Sequence, residues 1–372
     1  MHFILLDKNL LYYIALTSIP NIGSITAKKL IAYTGSVNQI FSDKKSTLEK
    51  IPGIGVVNAQ NIVQNKDFAL NLAERELAFI EKNNIKAHTF LEENYPKRLT
   101  HCEDGPLVVF AKGEFDFNVQ KVISIVGTRN ATDYGKEFCE KLIADLIPHK
   151  PLIVSGLAFG VDICAHKLAL KNNLPTIGVL AHGLDRIYPS VHTSTAKQML
   201  ANGGLISEFR SGTNPDRENF PKRNRIIAGL SDLTMVIESS NKGGSLITAE
   251  LANGYSRDVF ALPGRITDTQ SEGCNALIKQ NKAHLIQSVK DIEYIMGWKA
   301  EETVRPNQTK LFVELTTEEK MVFNILQQHD KLAIDNIALM AQLPMSKIAA
   351  LLLEMEFKNV VKSLPGKMYK VV

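Results

Sequence analysis

At 372 residues and 45% apolar content the chain is long enough to bury a substantial core, and length alone suggests two or three domains. A formal net charge of +4, from 43 Lys and Arg against 39 Asp and Glu, excludes a globally polycationic protein, so any nucleic-acid or phosphate binding must come from a local cluster. Four cysteines without a CxxC pair and nine histidines without zinc-ligand spacing exclude a disulfide framework and a structural zinc site.

Residues 1–100 read as a helical domain. The apolar start, "MHFILLDKNLLYYIALTSIP", is interrupted by Asp7 and Lys8 and lacks a small-residue cleavage site, so it is not expected to be a signal peptide. No stretch approaches the roughly 18 to 20 apolar residues of a membrane span, and a reduced, cytoplasmic protein is expected. "SIPNIG" (18–23) and "KIPGIG" (50–55) repeat, each ahead of a helix beginning near Ser24 or Val56. This pattern resembles a helix-hairpin-helix, whose exposed backbone amides can seat a phosphate, although a turn that only packs two helices fits equally. In the first copy Asn21 replaces the leading glycine that Gly53 supplies in the second.

Residues 105–298 alternate strand-like and helix-like segments, predicting an α/β domain with a mostly parallel, doubly wound sheet. The candidate strands are 121–127, 151–156, 175–181, 204–208, 233–238 and 258–262. Ligands in such sheets gather outside the carboxyl ends of the strands, where this chain concentrates glycines and small hydroxyl residues. A polar linker is expected over 299–315, and a winged helix over 316–372. Thr316 with Glu319 forms a capping box there, and two further helices precede a wing that turns at Pro365-Gly366.

Four strand-end segments suggest anion chemistry. "IVGTRNATDYG" departs from GxGxxG and places Arg129 in the first strand-to-helix loop, where its planar fork suits a phosphate. "SGLAFGVDICAH" offers Ser155 and Gly156 for close backbone approach, with Asp162 as the simplest helix cap; Asp162 and His166 share a helical face but lack a third metal ligand. "NKGGSLITAELANG" brings Gly244, Ser245 and Thr248 after another strand. "FPKRNRIIAGLS" clusters Lys222, Arg223 and Arg225 around Asn224, where a helix is expected to begin; cations at that positive pole are unfavourable unless an anion joins them.

These segments, in this order, resemble the DNA-processing protein A (DprA/Smf) family over nearly the whole chain. The resemblance implies an extended Rossmann-like core between a helix-hairpin-helix (SAM-like) domain and a winged helix. It further implies a homodimer that binds and protects incoming single-stranded DNA and loads a RecA-family recombinase in natural transformation, with no catalytic turnover and no cofactor or metal. Carried over by position, its DNA pocket comprises Arg129, Ser155, Gly156, Lys222, Arg223, Asn224, Arg225, Gly244, Ser245 and Thr248. Ser190 stands where many relatives carry a basic residue. Phe209, beside Arg210, is the candidate stacking platform, and Tyr188 is assigned to the core. Substituting Arg129 or Arg223 by Ala is expected to weaken binding with folding nearly unaffected. About five neutralised phosphates would give a log–log salt slope of roughly −3.5.

Two other functions compete. A LOG-like nucleotide phosphoribohydrolase needs a catalytic Glu where this chain has Thr248, and Glu250 is two residues late on the helix. A winged-helix regulator of duplex DNA needs a basic recognition helix, whereas "MSKIAALLLEMEFKN" carries Glu354 and Glu356; an auxiliary or protein-contact role is therefore expected for that unit.

Overall fold

The computed structural model describes residues 8–299, 315–329, 331–358, 360–364 and 366–371; the expected linker falls almost wholly outside them. Two compact units emerge, Met1–Glu301 and Glu302–Val372. Among the described residues no single helix is long and apolar enough to cross a membrane.

The first unit opens with five helices, α1 (Lys8–Thr17), α2 (Ser24–Thr34), α3 (Val37–Ser42), α4 (Lys45–Leu48) and α5 (Gly55–Lys82). The two hairpin turns agree at their leading position, where Asn21 adopts φ 63° and Gly53 φ 81°, and differ at the second glycine, φ −81° at Gly23 against 65° at Gly55. Asparagine tolerates the left-handed region through its short polar side chain, so the missing glycine does not abolish the turn. Ile14, Leu16, Leu30, Ile40, Leu48 and Ile62 are essentially sealed from solvent. That core also takes in Leu107, Val108 and Phe110, so the helical layer and the sheet that follows bury one apolar surface together.

The α/β region continues with β1 (Lys86–Thr89), α6 (Lys97–Thr100), β2 (Val108–Glu114), β3 (Val122–Val126), α7 (Asp133–Asp145), β4 (Leu152–Ser155) and α8 (Val161–Lys171). Then follow β5 (Thr176–Val179), α9 (Thr193–Met199), β6 (Gly203–Ser207), α10 (Asn219–Leu230), β7 (Leu233–Val236) and α11 (Gly244–Gly254). β8 (Asp258–Ala261), α12 (Glu272–Lys279), β9 (His284–Leu285) and α13 (Val289–Met296) complete it. The sheet order is β1-β2-β6-β5-β4-β3-β7-β8-β9. The strands from β6 to β9 are mutually parallel, while β2 runs antiparallel to β6 and β1 antiparallel to β2. All six strands expected from the sequence are present. Their apolar runs are buried on both faces, as a parallel sheet covered by helices requires.

Chain progression reverses at β3, with β4 on one side and β7 on the other. The crevice outside the carboxyl ends of β3 and β7 is therefore the topological switch point of a doubly wound sheet.

The second unit contains α14 (Thr317–Gln327), β10 (Leu332–Ala333), α15 (Ile334–Ala341), α16 (Met345–Phe357), β11 (Val361–Leu364) and β12 (Met368–Val371). Its capping box is formed as expected: Glu319 N donates to Thr316 Oγ1 at 3.2 Å and Thr316 N to Glu319 Oε2 at 2.8 Å. β11 and β12 pair as the wing, with β10 on the other side of β12. On α16 the exposed positions include Ala349, Ala350, Leu353 and Phe357, and Lys347 is paired with Glu318.

Candidate nucleic-acid interface

α10 begins at Asn219, not at Asn224, so Lys222 stands at the end of its first turn and Arg223 to Arg225 lie beyond it. The helix dipole acts mainly on the first and last turns, and the unfavourable placement inferred from the sequence disappears for Arg223 and Arg225. What decides the role of each cation is the face it occupies. Arg223 stands three, four and seven residues before Ile226, Ile227 and Leu230, all buried, and so belongs to the core-facing stripe. Lys222 and Arg225, three apart, share another face. This spacing is legible in the sequence and is the signal that the charge pattern alone obscures.

Arg223 is 4% exposed and serves as a brace. Its Nη1 donates to Gly156 O at 2.6 Å and also to Val179 O, and its Nε donates to Asn224 Oδ1 at 3.1 Å. Burial lowers its pKa to about 10, against the opposing field of Asp162. It remains a cation at neutral pH. Asp162 is buried beside it and held above the usual carboxylate range by desolvation, with Arg223 and the Ala158 amide pulling the other way. Asp162 Oδ2 accepts from Ala158 N at 3.3 Å, which ties the loop after β4 to the start of α8. Gly156 is where these groups converge: an added Cβ would lie 2.5 Å from Asp162 Oδ2 and 2.6 Å from Arg223 Nη1.

The other sequence-selected residues divide in the same way. Ser155 is fully buried and its hydroxyl donates to Ile125 O at 2.6 Å, which ties β4 to β3. Arg225 is paired with Glu208 and also donates to Asp104 O. Both take internal partners, as buried or half-buried polar groups do, while Arg225 still lines a cavity. Ser245 donates to Ser239 Oγ at 2.8 Å. Tyr188, assigned to the core, is instead 49% exposed, with its ring 6.2 Å from that of Phe220. His166 takes no metal-like role; its Nδ1 lies 2.7 Å from Thr176 Oγ1. Among the described residues no cluster of three metal-ligating side chains occurs.

The remaining residues of the sequence-selected pocket, apart from Lys222 and Gly156, converge on the switch point. A cavity of about 310 Å³ is lined by Gly127–Arg129 after β3, Ala158 and Asp162 after β4, Phe220, Arg223 and Asn224 on α10, and Gly243–Ser245 with Thr248 on α11. Arg129 is exposed there and makes no hydrogen bond or ion pair among the described residues. Its guanidinium carbon lies 5.8 Å from the Phe220 ring centroid, and that of Arg223 6.0 Å from the same ring. Phe220 is the aromatic group of this cleft, and the sequence reading missed it; its place immediately before the basic cluster was the available clue. Phe209 instead lines a second cavity, with Lys222 and Arg225.

Glu238 holds the Arg129 loop in place. Its carboxylate, buried at the end of β7, accepts from Thr132 N at 2.8 Å and from Thr132 Oγ1, while its carbonyl accepts from Thr128 N at 2.8 Å. On the opposite wall α11 begins at Gly244, with Gly243 as a cap lacking a side chain, so its first-turn amides have no side-chain acceptor. Unpaired guanidinium, aromatic face and helix N-terminus together suit a phosphate with an adjoining planar base. Glu250 is not among the cleft's lining residues and pairs with Lys282 at 2.6 Å.

Comparison with known proteins agrees with this architecture. The profile for "DNA recombination-mediator protein A" matches residues 86–296, that for a "DprA winged helix domain" residues 308–367, and that for a "SAM-like Helix-hairpin-helix tandem" residues 13–65. Protein Smf of Synechocystis sp. is 31% identical over 96% of this chain and 98% of its own. The DNA processing protein DprA of Bacillus subtilis is 40% identical over 59% of this chain and 73% of its own. Among solved structures, DNA processing protein A of Streptococcus pneumoniae superposes with a TM-score of 0.65 at 31% identity, covering 76% of this chain and 97% of that one. The Helicobacter pylori protein, described for its single-stranded DNA binding mode, gives 0.52 at 31% identity over 57% and 95%. Helical hairpins, a doubly wound sheet with its cleft at the switch point, and a winged helix thus recur in one order, and the chain belongs to the DNA recombination-mediator protein A family.

Proposed function

We propose that this protein binds single-stranded DNA in the cleft between β3, β7, α10 and α11 and acts as a recombination mediator without chemical turnover. The observation that carries the reading is the meeting of Arg129, Phe220 and the open start of α11 around one cavity. Arg129 and the α11 amides take a phosphate, Phe220 takes the face of a neighbouring base, and the Asn224 side chain supplies polar contact to the strand. Arg223, Asp162, Gly156 and Ser155 hold the walls and do not meet the strand through their side chains.

Stacking on Phe220 would contribute roughly 1 to 3 kcal/mol per base. A homodimer would repeat the cleft along one strand, and delivery of that strand to a RecA-family recombinase during DNA uptake is the role that family membership supports. The winged helix is assigned to protein contact, because the exposed side of α16 presents Ala349, Leu353 and Phe357 where a groove-reading helix presents basic and amide side chains. The test is equilibrium binding of a labelled oligothymidylate and of a duplex of equal length at several salt concentrations. Tighter binding of the single strand is expected; equal or tighter binding of the duplex would overturn the reading.

A further inference from the structure

On the other side of α10 lies a second cavity of about 360 Å³, which the first cleft does not use. Its walls are Gly23 and Ser24 at the start of α2, Phe209 and Arg210 in the loop after β6, and Lys222 and Arg225 on α10. Arg225 is neutralised by Glu208 within the same wall. Lys222 and Arg210 make no side-chain hydrogen bond or ion pair among the described residues, which leaves the cavity two uncompensated cations. The loop carrying Phe209 and Arg210 is fixed in advance: the buried Glu76 of α5 accepts from Ser211 N at 3.0 Å and from Ser211 Oγ. Opposite, α2 is preceded by Gly23 at its N-cap, whose φ of −81° needs no glycine, and which offers the first turn no capping side chain.

We propose that this cavity is a second seat for the same unpaired strand, taking a phosphate on Lys222 and Arg210 with the adjoining base beside Phe209. The proposal rests on the binding reading above and extends it across α10 to the first helical hairpin. An α-helix with side chains is about 10 to 12 Å across, which a strand covers in no more than roughly three nucleotides at a rise of about 3.4 Å. One strand therefore reaches both cavities by crossing the first turns of α10.

The experiment compares a thymidylate dinucleotide, too short to reach from one cavity to the other, with an oligothymidylate of about fifteen nucleotides, using full-length protein and the variants Arg210→Ala/Lys222→Ala and Arg129→Ala. The double variant is expected to bind the long strand about ten-fold more weakly. Its salt slope on that strand should shrink by about 1.4, while affinity for the short strand stays unchanged. An unchanged long-strand affinity would overturn the proposal, and so would an equal loss on both lengths, which would move Lys222 and Arg210 to the first cleft. The parent reading is judged separately, because Arg129→Ala should weaken both lengths. If it does so while the double variant behaves as wild type, only the second seat is lost. Thymidine monophosphate is titrated in parallel: saturable binding of it that the double variant abolishes, with long-strand affinity intact, would assign the cavity to a free nucleotide and overturn its role in strand binding.

Discussion

Arg223 Nη1 and the carbonyl of Gly156 are joined at 2.6 Å, so a residue from the most basic stretch of the chain is spent on the loop after β4. Arg223→Ala should therefore act on the fold. It removes the bonds to two buried carbonyls and a favourable charge near Asp162, a loss of about 1 to 3 kcal/mol. Arg129→Ala should leave stability within about 0.5 kcal/mol and weaken single-strand binding by about 1 to 3 kcal/mol. Urea unfolding and anisotropy titration separate the two variants; equal stability in both would refute the brace.

Gly156→Ala tests the same junction from the opposite side. The new methyl would stand 2.5 Å from Asp162 Oδ2 and 2.6 Å from Arg223 Nη1, and neither partner can withdraw without abandoning its hydrogen bonds. Overpacking of this kind costs about 1 to 3 kcal/mol. A melting temperature indistinguishable from wild type would show that the loop relaxes freely.

Phe220→Ala should lower affinity for short oligothymidylates by about 1 to 3 kcal/mol, and Phe220→Tyr should restore most of it, since the aromatic face is what a base needs. Phe209→Ala should leave short-strand affinity unchanged, because Phe209 lines the other cavity. The opposite ranking in a fluorescence titration would reverse the assignment of the two rings.

Salt dependence reports how many phosphates are held. Among the described residues lining the two cavities, the cations without a side-chain partner are Arg129, Lys222 and Arg210, which gives one protomer a log–log slope of about −2. The steeper value of about −3.5, expected from the sequence cluster, would then require the cations of a second copy. Slope and mass measured on the same complex decide between one protomer and two.

His166 makes stability sensitive to acid. His166 Nδ1 lies 2.7 Å from Thr176 Oγ1, which is itself 3.1 Å from Ile153 O, and Nε2 is buried without a hydrogen-bond partner among the described residues. Desolvation lowers the folded-state pKa from 6.5 to about 3. The unfolded chain binds the extra proton below about pH 6.5, so this contribution is complete above that value and declines as the pH falls toward 3. His166→Gln should flatten the decline; a pH–stability curve parallel to wild type would place the acid sensitivity elsewhere.

Much of the architecture is readable without coordinates, and particular elements show why. The strands around 121–127 and 233–238 are short apolar runs closed by small residues, a local pattern that survives in any packing. The two hairpins are equally local, and Asn21 replaces a glycine there because the turn asks only for positive φ. Phe220 was overlooked for the opposite reason: nothing local distinguishes a ring that faces a cleft from one that fills a core.

By itself the sequence determined the order of the elements, the parallel sheet and the edge at which the loops after β3, β4 and β7 gather, because each follows from hydrophobic period and from residues that end strands. Only the tertiary structure decided which cations remain free. A helix turns about 100° per residue, so the neighbours Lys222 and Arg223 point to different surroundings, and a charge acquires its role from whichever partner the packing brings to it.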